Sequence, residues 1–206
     1  MGHKASSLGK KQIVAAFRQA GILEAARGVF AARGFEQASV DAIARRAGVA
    51  KGTVYLYYPS KLAVYRAALR EGLGALLDEL RTSVAAARGA REKIGAFLRT
   101  KAEFLEGHRE FFGVYDAGLA HPGLPLHLQK DFQAFYQEQL ALLQSAFETP
   151  GPGPRVRRLP ARAVAEAVAD LSSGLVKRRL LGRSRSETRR DVDTALELVW
   201  KGLARP

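Results

Sequence analysis

The chain has 206 residues, of which 47% are hydrophobic, and it contains no cysteine. This length and composition predict a globular fold with a sizeable core, and they exclude disulfides and thiol chemistry. Lys and Arg number 33 against 20 Asp and Glu, and the resulting formal net charge of +13 favours negatively charged partners.

Two N-terminal segments precede the most informative stretch. Residues 1–11 contain lysines but no apolar periodicity, and they are predicted to form a flexible basic tail. A first helix is predicted from about Gln12 to Arg33, where apolar residues recur at helical spacing until Gly34. Its apolar face can cover the helices that follow, and it consists of Val14, Phe17, Ile22, Ala26, Val29 and Phe30.

Residues 39–61, SVDAIARRAGVAKGTVYLYYPSK, predict two short helices joined by a tight turn. Ser39 can cap the first helix, and Asp41 adds negative charge to its first turn. Gly48 suits the turn because a residue without Cβ adopts positive φ without strain. The second helix is predicted from about Lys51 to Tyr57 and ends before Pro59. This arrangement is a helix-turn-helix, whose second helix enters the major groove of DNA.

The predicted second helix carries side chains suited to DNA. Lys51 can donate to guanine, and the Thr53 methyl can contact the methyl group of thymine. Gly52 leaves the backbone open to close approach by a phosphate. The chain has no Asn, and this helix has no Gln, so specificity is expected to rest on Lys51, Thr53 and DNA shape. The predicted phosphate contacts are Tyr55, Tyr57 and Lys61.

This ordered set of residues resembles the TetR family of bacterial transcriptional regulators. The resemblance covers about the first third of the chain and includes ILEAA at residues 22–26, SVDAIA at 39–44, AGV at 47–49 and KGTVYLYYPSK at 51–61. Ala50 departs from the pattern because many relatives have Ser there. The resemblance implies that the operator is contacted by Lys51, Gly52, Thr53, Tyr55, Tyr57 and Lys61. Ser39 and Arg45 are further predicted DNA contacts.

Positive charge is concentrated in the same part of the chain. Residues 1–62 contain ten Lys and Arg against three Asp and Glu. Lys4, Lys10 and Lys11 in the tail either contact DNA, as arms of other DNA-binding domains do, or form a solubilising end.

The rest of the sequence predicts helices almost throughout, so the fold class is all-α. A long helix from Ser60 to about Ala87 would join a three-helix head, residues 12–62, to an effector-binding and dimerisation domain, residues 63–206. The run of Pro and Gly at residues 149–154 is the clearest break. Further helices are predicted at Arg91–Glu106, His108–Gly118, Leu124–Phe147, Pro160–Leu181 and Glu187–Leu203.

Aromatic residues are concentrated in the middle helices. At helical spacing such residues are more often ordinary core than a ligand site, but the resemblance implies an effector pocket in this region. An apolar or aromatic effector is expected because ligand pockets are mostly apolar. The candidate pocket residues are Phe97, Phe104, Phe111, Phe112, Tyr115, Phe132, Phe135 and Tyr136.

The last two predicted helices are amphipathic, and each can pack either inside its own chain or against a second copy. The resemblance implies the second arrangement, a four-helix bundle that makes a homodimer for a palindromic operator. The candidate interface residues are Val164, Val168, Leu171 and Leu175 on the first helix and Val192, Leu196, Val199 and Leu203 on the second.

A second basic cluster lies in the C-terminal part of the chain. One hypothesis is that it binds the phosphates of an acyl-coenzyme A or makes secondary DNA contacts, and the alternative is a solvated charged rim. The cluster consists of Arg155, Arg157, Arg158, Arg162, Lys177, Arg178, Arg179, Arg183, Arg185, Arg189 and Arg190.

No catalytic or metal-binding motif is evident in the sequence. The four His residues do not fall at metal-ligand spacings, and no P-loop or nucleophile elbow occurs, so neither an enzyme nor a cofactor is predicted. No apolar run approaches the ~20 residues that a membrane span needs, which predicts a cytoplasmic protein. The predicted function is a ligand-responsive repressor, and the alternative is a basic helical protein that binds an acidic partner or a membrane surface.

Overall fold

The computed structural model describes residues 3–120, 125–148, 159–182 and 187–204. These residues form helices and contain no strand, so the fold is all-α as predicted. The helices are α1 (His3–Gln37), α2 (Val40–Arg46), α3 (Lys51–Tyr57), α4 (Lys61–Ala86), α5 (Gly89–Gly107), α6 (Arg109–Ala120), α7 (Leu126–Glu148), α8 (Ala161–Leu180) and α9 (Thr188–Leu203).

The first helix differs from its prediction. It begins at His3 and therefore includes most of the segment predicted as a flexible tail. No proline interrupts residues 3–11, and Ala and Lys in this segment have high helix propensity. Gly34 has φ 69° and ψ 175°, so α1 is kinked close to its predicted end. The predicted break at residues 149–154 lies outside the described residues.

The chain folds into two compact units. Unit 1 contains residues 1–72 and 110–124, and unit 2 contains residues 73–109 and 125–206. This division differs from the predicted boundary at residues 62 and 63, because the first part of α4 and most of α6 pack with the N-terminal helices. The Tyr65 hydroxyl donates a 2.6 Å hydrogen bond to the backbone carbonyl of Val114. A Cβ at Gly72 would overlap the ring of Phe111, so α4 and α6 approach each other closely.

The core of unit 1 holds the helix-turn-helix in place. Val54 of α3 and Ile43 of α2 are fully buried, and Phe30 of α1 is 1% exposed. The rings of Phe30 and Tyr65 pack edge to face with centroids 5.1 Å apart, and those of Phe35 and Tyr65 with centroids 5.2 Å apart. Aromatic pairs in this arrangement add to the stabilisation that burial provides.

Unit 2 is a bundle in which α5 packs against α7, α8 and α9. Phe97 of α5 and Val192 of α9 are fully buried, and Val168 of α8 is 1% exposed. In the part of the chain that the structure describes, no helix combines the length and the apolar run that crossing a bilayer would require.

Candidate functional site

The helix-turn-helix is built as the sequence predicts. The Ser39 hydroxyl accepts a 3.2 Å hydrogen bond from the backbone N–H of Ala42, which confirms Ser39 as the N-cap of α2. Gly48 has φ 65°, a conformation that a residue with a Cβ adopts at a cost. The backbone N–H of Val49 then donates a 3.0 Å hydrogen bond to the carbonyl of Ala44. The turn therefore sets the direction in which α3 leaves α2.

The second helix of the motif, α3, presents one face to the core and the other to solvent. Val54 faces inward and is fully buried, whereas Lys51 and Gly52 are exposed and Tyr55 is 44% exposed. Thr53 and Tyr57 are partly exposed. Ala50 has no side-chain hydrogen bond to the start of α3, as expected where Ala replaces Ser. The predicted contact residues of α3 are thus accessible to a partner.

Lys51 forms an ion pair within the motif. Its Nζ atom lies 2.9 Å from Oδ2 of Asp41 on α2, and both side chains are about half exposed. The hydrogen bond to Asp41, together with the attraction between the two charges, raises the pKa of Lys51. Because this ammonium is already paired with Asp41, it can contact a guanine only by binding both groups at once or by leaving Asp41.

Lys61 has a structural role that sequence reasoning missed. Its ammonium donates hydrogen bonds to the carbonyls of Phe35, at 2.8 Å, and Glu36, at 3.1 Å, and lies 4.5 Å from the centroid of the Phe35 ring. Lys61 therefore caps the C-terminal end of α1, where positive charge is stabilising. Its phosphate contact stays a prediction, since a lysine carries three donors.

The remaining predicted DNA contacts differ in their surroundings. Arg45 is exposed and comes directly after the buried residues of α2. Tyr58, which the pattern did not assign to DNA, is partly buried, and burial raises its pKa with a further contribution from Glu71. Leu56 was missing from the predicted contacts, yet its side chain is 83% exposed. The sequence could have indicated this exposure, because Leu56 comes two residues after Val54 and therefore lies on the opposite side of the helix.

The candidate effector residues do not fall in one compact unit. Phe111, Phe112 and Tyr115 belong to unit 1, and the other five belong to unit 2. Burial raises the pKa of Tyr115 to about 12. In unit 2 the residues Phe97, Phe104, Phe132 and Phe135 are buried, and the hydroxyl of Tyr136 donates a 3.3 Å hydrogen bond to Asp170. The pocket stays a prediction.

One lysine is buried in the core of unit 2. The side chain of Lys101 is 1% exposed, and its ammonium donates hydrogen bonds to the hydroxyls of Ser172, at 2.9 Å, and Ser173, at 3.0 Å. Both hydroxyls donate in turn to the backbone carbonyl of Ala169. Burial lowers the pKa of Lys101 to about 7, since a charged ammonium is poorly solvated there.

The predicted dimer residues divide between the core and the surface. Val168, Leu175, Val192 and Leu203 are buried within unit 2, so they pack inside their own chain. Val164, Leu196 and Val199 are partly exposed, and Leu171 is 38% exposed. The spacing alone could not decide which face is turned inward, because both faces of these helices carry apolar residues. The outward faces expose Leu171 and Leu198, the latter to 69%.

The C-terminal basic cluster is partly neutralised. Arg179 is held 3.1 Å from Glu106 and 2.9 Å from Asp191, and Arg178 lies 3.5 Å from Asp191. Hydrogen bonds from Thr188 and Arg179 lower the pKa of Glu106. Through these ion pairs the two arginines connect α8 to α5 and α9. Arg155, Arg157, Arg158, Arg183 and Arg185 lie outside the described residues.

Comparison with known proteins agrees with the geometry of the N-terminal unit. The family model of the bacterial regulatory proteins of the tetR family matches residues 22–68. The fatty acid metabolism regulator protein of Bacillus subtilis is 30% identical over 105 residues, which cover 51% of this chain and 54% of that protein. The transcriptional activator FasR of Mycolicibacterium smegmatis is 33% identical over 99 residues, covering 46% and 45% of the two chains. This chain therefore aligns with about half the length of these two relatives.

A wider alignment and a solved structure extend the likeness. The transcriptional regulator RutR of Escherichia coli K12 is 32% identical over 138 residues, covering 66% of this chain and 64% of that protein. FadR from Bacillus subtilis, solved in complex with stearoyl-CoA, superposes with a TM-score of 0.75 at 22% identity, covering 88% of this chain and 97% of that one. This superposition shows a shared fold, and the matched motif is the helix-turn-helix of unit 1. Residues 22–68 of this chain thus match the bacterial regulatory proteins of the tetR family, and the wider fold is shared with FadR.

Proposed function

We propose that this protein is a ligand-responsive transcriptional regulator that binds a palindromic operator as a homodimer. The observation that carries the proposal is the exposed face of α3, where Val54 alone is buried and Lys51, Gly52 and Tyr55 face solvent. A helix held in this way can enter a major groove without losing its packing. The positive charge of residues 1–62 supplies attraction for the phosphate backbone.

In this proposal the contact residues have two kinds of role. Lys51 and Thr53 contact base edges, and Gly52 allows the helix backbone to approach the DNA. Tyr55, Tyr57 and Arg45 donate to phosphates, and such contacts fix the register of a protein on DNA without reading its sequence. Ser39 and Lys61, which already cap helices, position α2 and α1 and have donors left for phosphates.

The homodimer would form through the outward faces of α8 and α9. Leu171 and Leu198 are exposed there, and a surface groove of about 530 Å³ on α9 includes Leu198, Arg190 and Asp193. A second copy would remove these leucines from water. Replacing Leu198 with Glu is expected to give a monomer in analytical ultracentrifugation, whereas Leu126→Glu, which alters a leucine that is 66% exposed on α7, should stay dimeric. A dimeric Leu198→Glu variant would contradict this interface.

The effector would be a largely apolar molecule bound in the helical part of unit 2. The aromatic core of that unit supports this assignment, and so do a relative named as a fatty acid metabolism regulator and a neighbour in fold that was solved with stearoyl-CoA. We propose stearoyl-CoA and free stearate as first probes. The default mode is repression, in which the effector lowers operator affinity. A tenfold change requires about 1.4 kcal/mol of preference for the form that does not bind DNA.

The decisive experiment selects bound sequences from a random duplex library. We expect a palindromic consensus, because two copies of α3 would contact half-sites about one DNA turn apart. Lys51→Ala should relax the preference at one position in each half-site, while Tyr57→Ala should weaken binding to all duplexes. Lys130→Ala, at an exposed residue of α7, serves as the control for lost charge. Equal binding of all duplexes would contradict the proposal and favour a basic helical protein without sequence specificity.

A further inference from the structure

Leu56 occupies an unusual position on α3. Successive residues of a helix are 100° apart, so Leu56 and Gly52 point roughly opposite to Val54, the buried residue of this helix. Viewed down the helix axis, Leu56 therefore lies on the outward face between Thr53 and Tyr55, and it is the penultimate residue of α3. It is 83% exposed, the highest value among the large hydrophobic side chains whose exposure the structure describes.

Among the described residues of unit 1, no packing role explains the presence of this leucine. Its side chain lies outside the core that Val54, Ile43 and Phe30 form, so it does not hold α3 in place. Gly52 lies one turn earlier, about 6 Å away along the helix axis, and a Cβ added there would meet no atom within 4 Å. Leu56 thus projects beside an open stretch of backbone, and a surface that approaches Gly52 closely also reaches Leu56.

We infer that Leu56 determines operator specificity by contacting the C5-methyl group of a thymine in the major groove. This inference rests on the function proposed above. Thymine alone among the four bases presents a methyl group in that groove, and apolar side chains recognise it by contact. A leucine can neither donate nor accept a hydrogen bond, so against the other bases it would leave polar edges without partners. Leu56 complements Lys51, whose ammonium suits guanine.

Deoxyuridine provides the test, since it differs from thymine only by the missing methyl group. Each thymine of the selected operator is replaced by deoxyuridine, one symmetric pair at a time, and the dissociation constant is measured for the wild type and for Leu56→Ala. At one pair of positions the wild type should lose about fourfold in affinity per half-site, the value expected for one buried methyl group. Leu56→Ala should bind the thymine and deoxyuridine operators equally at that pair.

Thr53→Ser is the matched control, because it removes a methyl group from the same face and keeps the hydroxyl. It should leave the sensitivity that depends on Leu56 intact. The thermal unfolding of Leu56→Ala should match that of the wild type, since the leucine is exposed. If Leu56→Ala keeps the same sensitivity at every pair, or if no pair weakens the wild type, the inference is overturned while the regulator proposal stands. A failure to select any operator overturns both.

Discussion

Replacing Gly52 with Ala should raise the stability of the protein and lower its affinity for DNA. Gly52 lies inside the short helix α3, is exposed, and has open space around the position of a Cβ. The methyl group of an alanine at this site would therefore meet no other helix among the described residues within 4 Å. Because glycine loses more conformational freedom than alanine when a helix forms, Gly52→Ala should raise the free energy of unfolding by up to about 1 kcal/mol.

The same substitution should weaken operator binding. If the backbone of α3 comes into contact with DNA at Gly52, the new methyl group must push the helix away from the groove. We expect at least a tenfold loss of affinity, or about 1.4 kcal/mol, measured by fluorescence anisotropy with the selected duplex. The free energy of unfolding is measured by urea denaturation of the same preparations.

Gly21→Ala is the matched control for this experiment. Gly21 is exposed inside α1, and a Cβ there would also meet nothing within 4 Å. It should gain stability as Gly52→Ala does and keep the operator affinity of the wild type. Wild-type affinity in Gly52→Ala would refute the close approach of α3 to DNA. A loss of stability in Gly52→Ala would instead refute the open space around it.

Further predictions concern the cores of the two units. Burial lowers the pKa of Lys101 to about 7, so between this pH and the ordinary lysine pKa the folded protein binds fewer protons than the unfolded chain. The stability of the wild type relative to Lys101→Met, measured by urea titration, should therefore rise with pH over this window by several kcal/mol, on the order of 5 at most; parallel pH profiles of the two proteins would contradict this. Gly72→Ala should destabilise unit 1 by about 1–3 kcal/mol, because the new methyl group overlaps the Phe111 ring. Gly74→Ala has open space in the same helix and should not be destabilised; equal melting temperatures of the two variants would contradict the close packing of Gly72 against Phe111. Tyr65→Phe removes a buried 2.6 Å hydrogen bond to a backbone carbonyl of α6, so it should lower the free energy of unfolding by about 1–2 kcal/mol. A calorimetric free energy of unfolding equal to that of the wild type would contradict this.

Local signals explain why the helix-turn-helix could be predicted closely. Ser39 caps α2, Gly48 adopts positive φ, and α3 has the predicted bounds of Lys51 and Tyr57. Each of these features depends on residues within about four positions of one another. The start of α1 was predicted less well, since a basic segment without apolar periodicity can still continue a helix.

Contacts between distant residues account for what the sequence did not predict. Lys61 caps a helix that ends 24 residues earlier, at Gln37, and no local pattern records that pairing. The division of α4 at Gly72 depends on the packing of α6, which follows some forty residues later. Likewise, Leu175 and Val192 were predicted at a dimer interface but fill the core of unit 2.

The sequence by itself determined the all-α fold class, the bounds of most helices and the presence of a helix-turn-helix, because propensity, capping and turn chemistry act over a few residues. Only the tertiary structure decided which face of each amphipathic helix is buried, which cations are already paired, and that Leu56 is exposed on the outward face of α3. Burial depends on which other helices pack against a face, and that packing joins residues far apart in the chain.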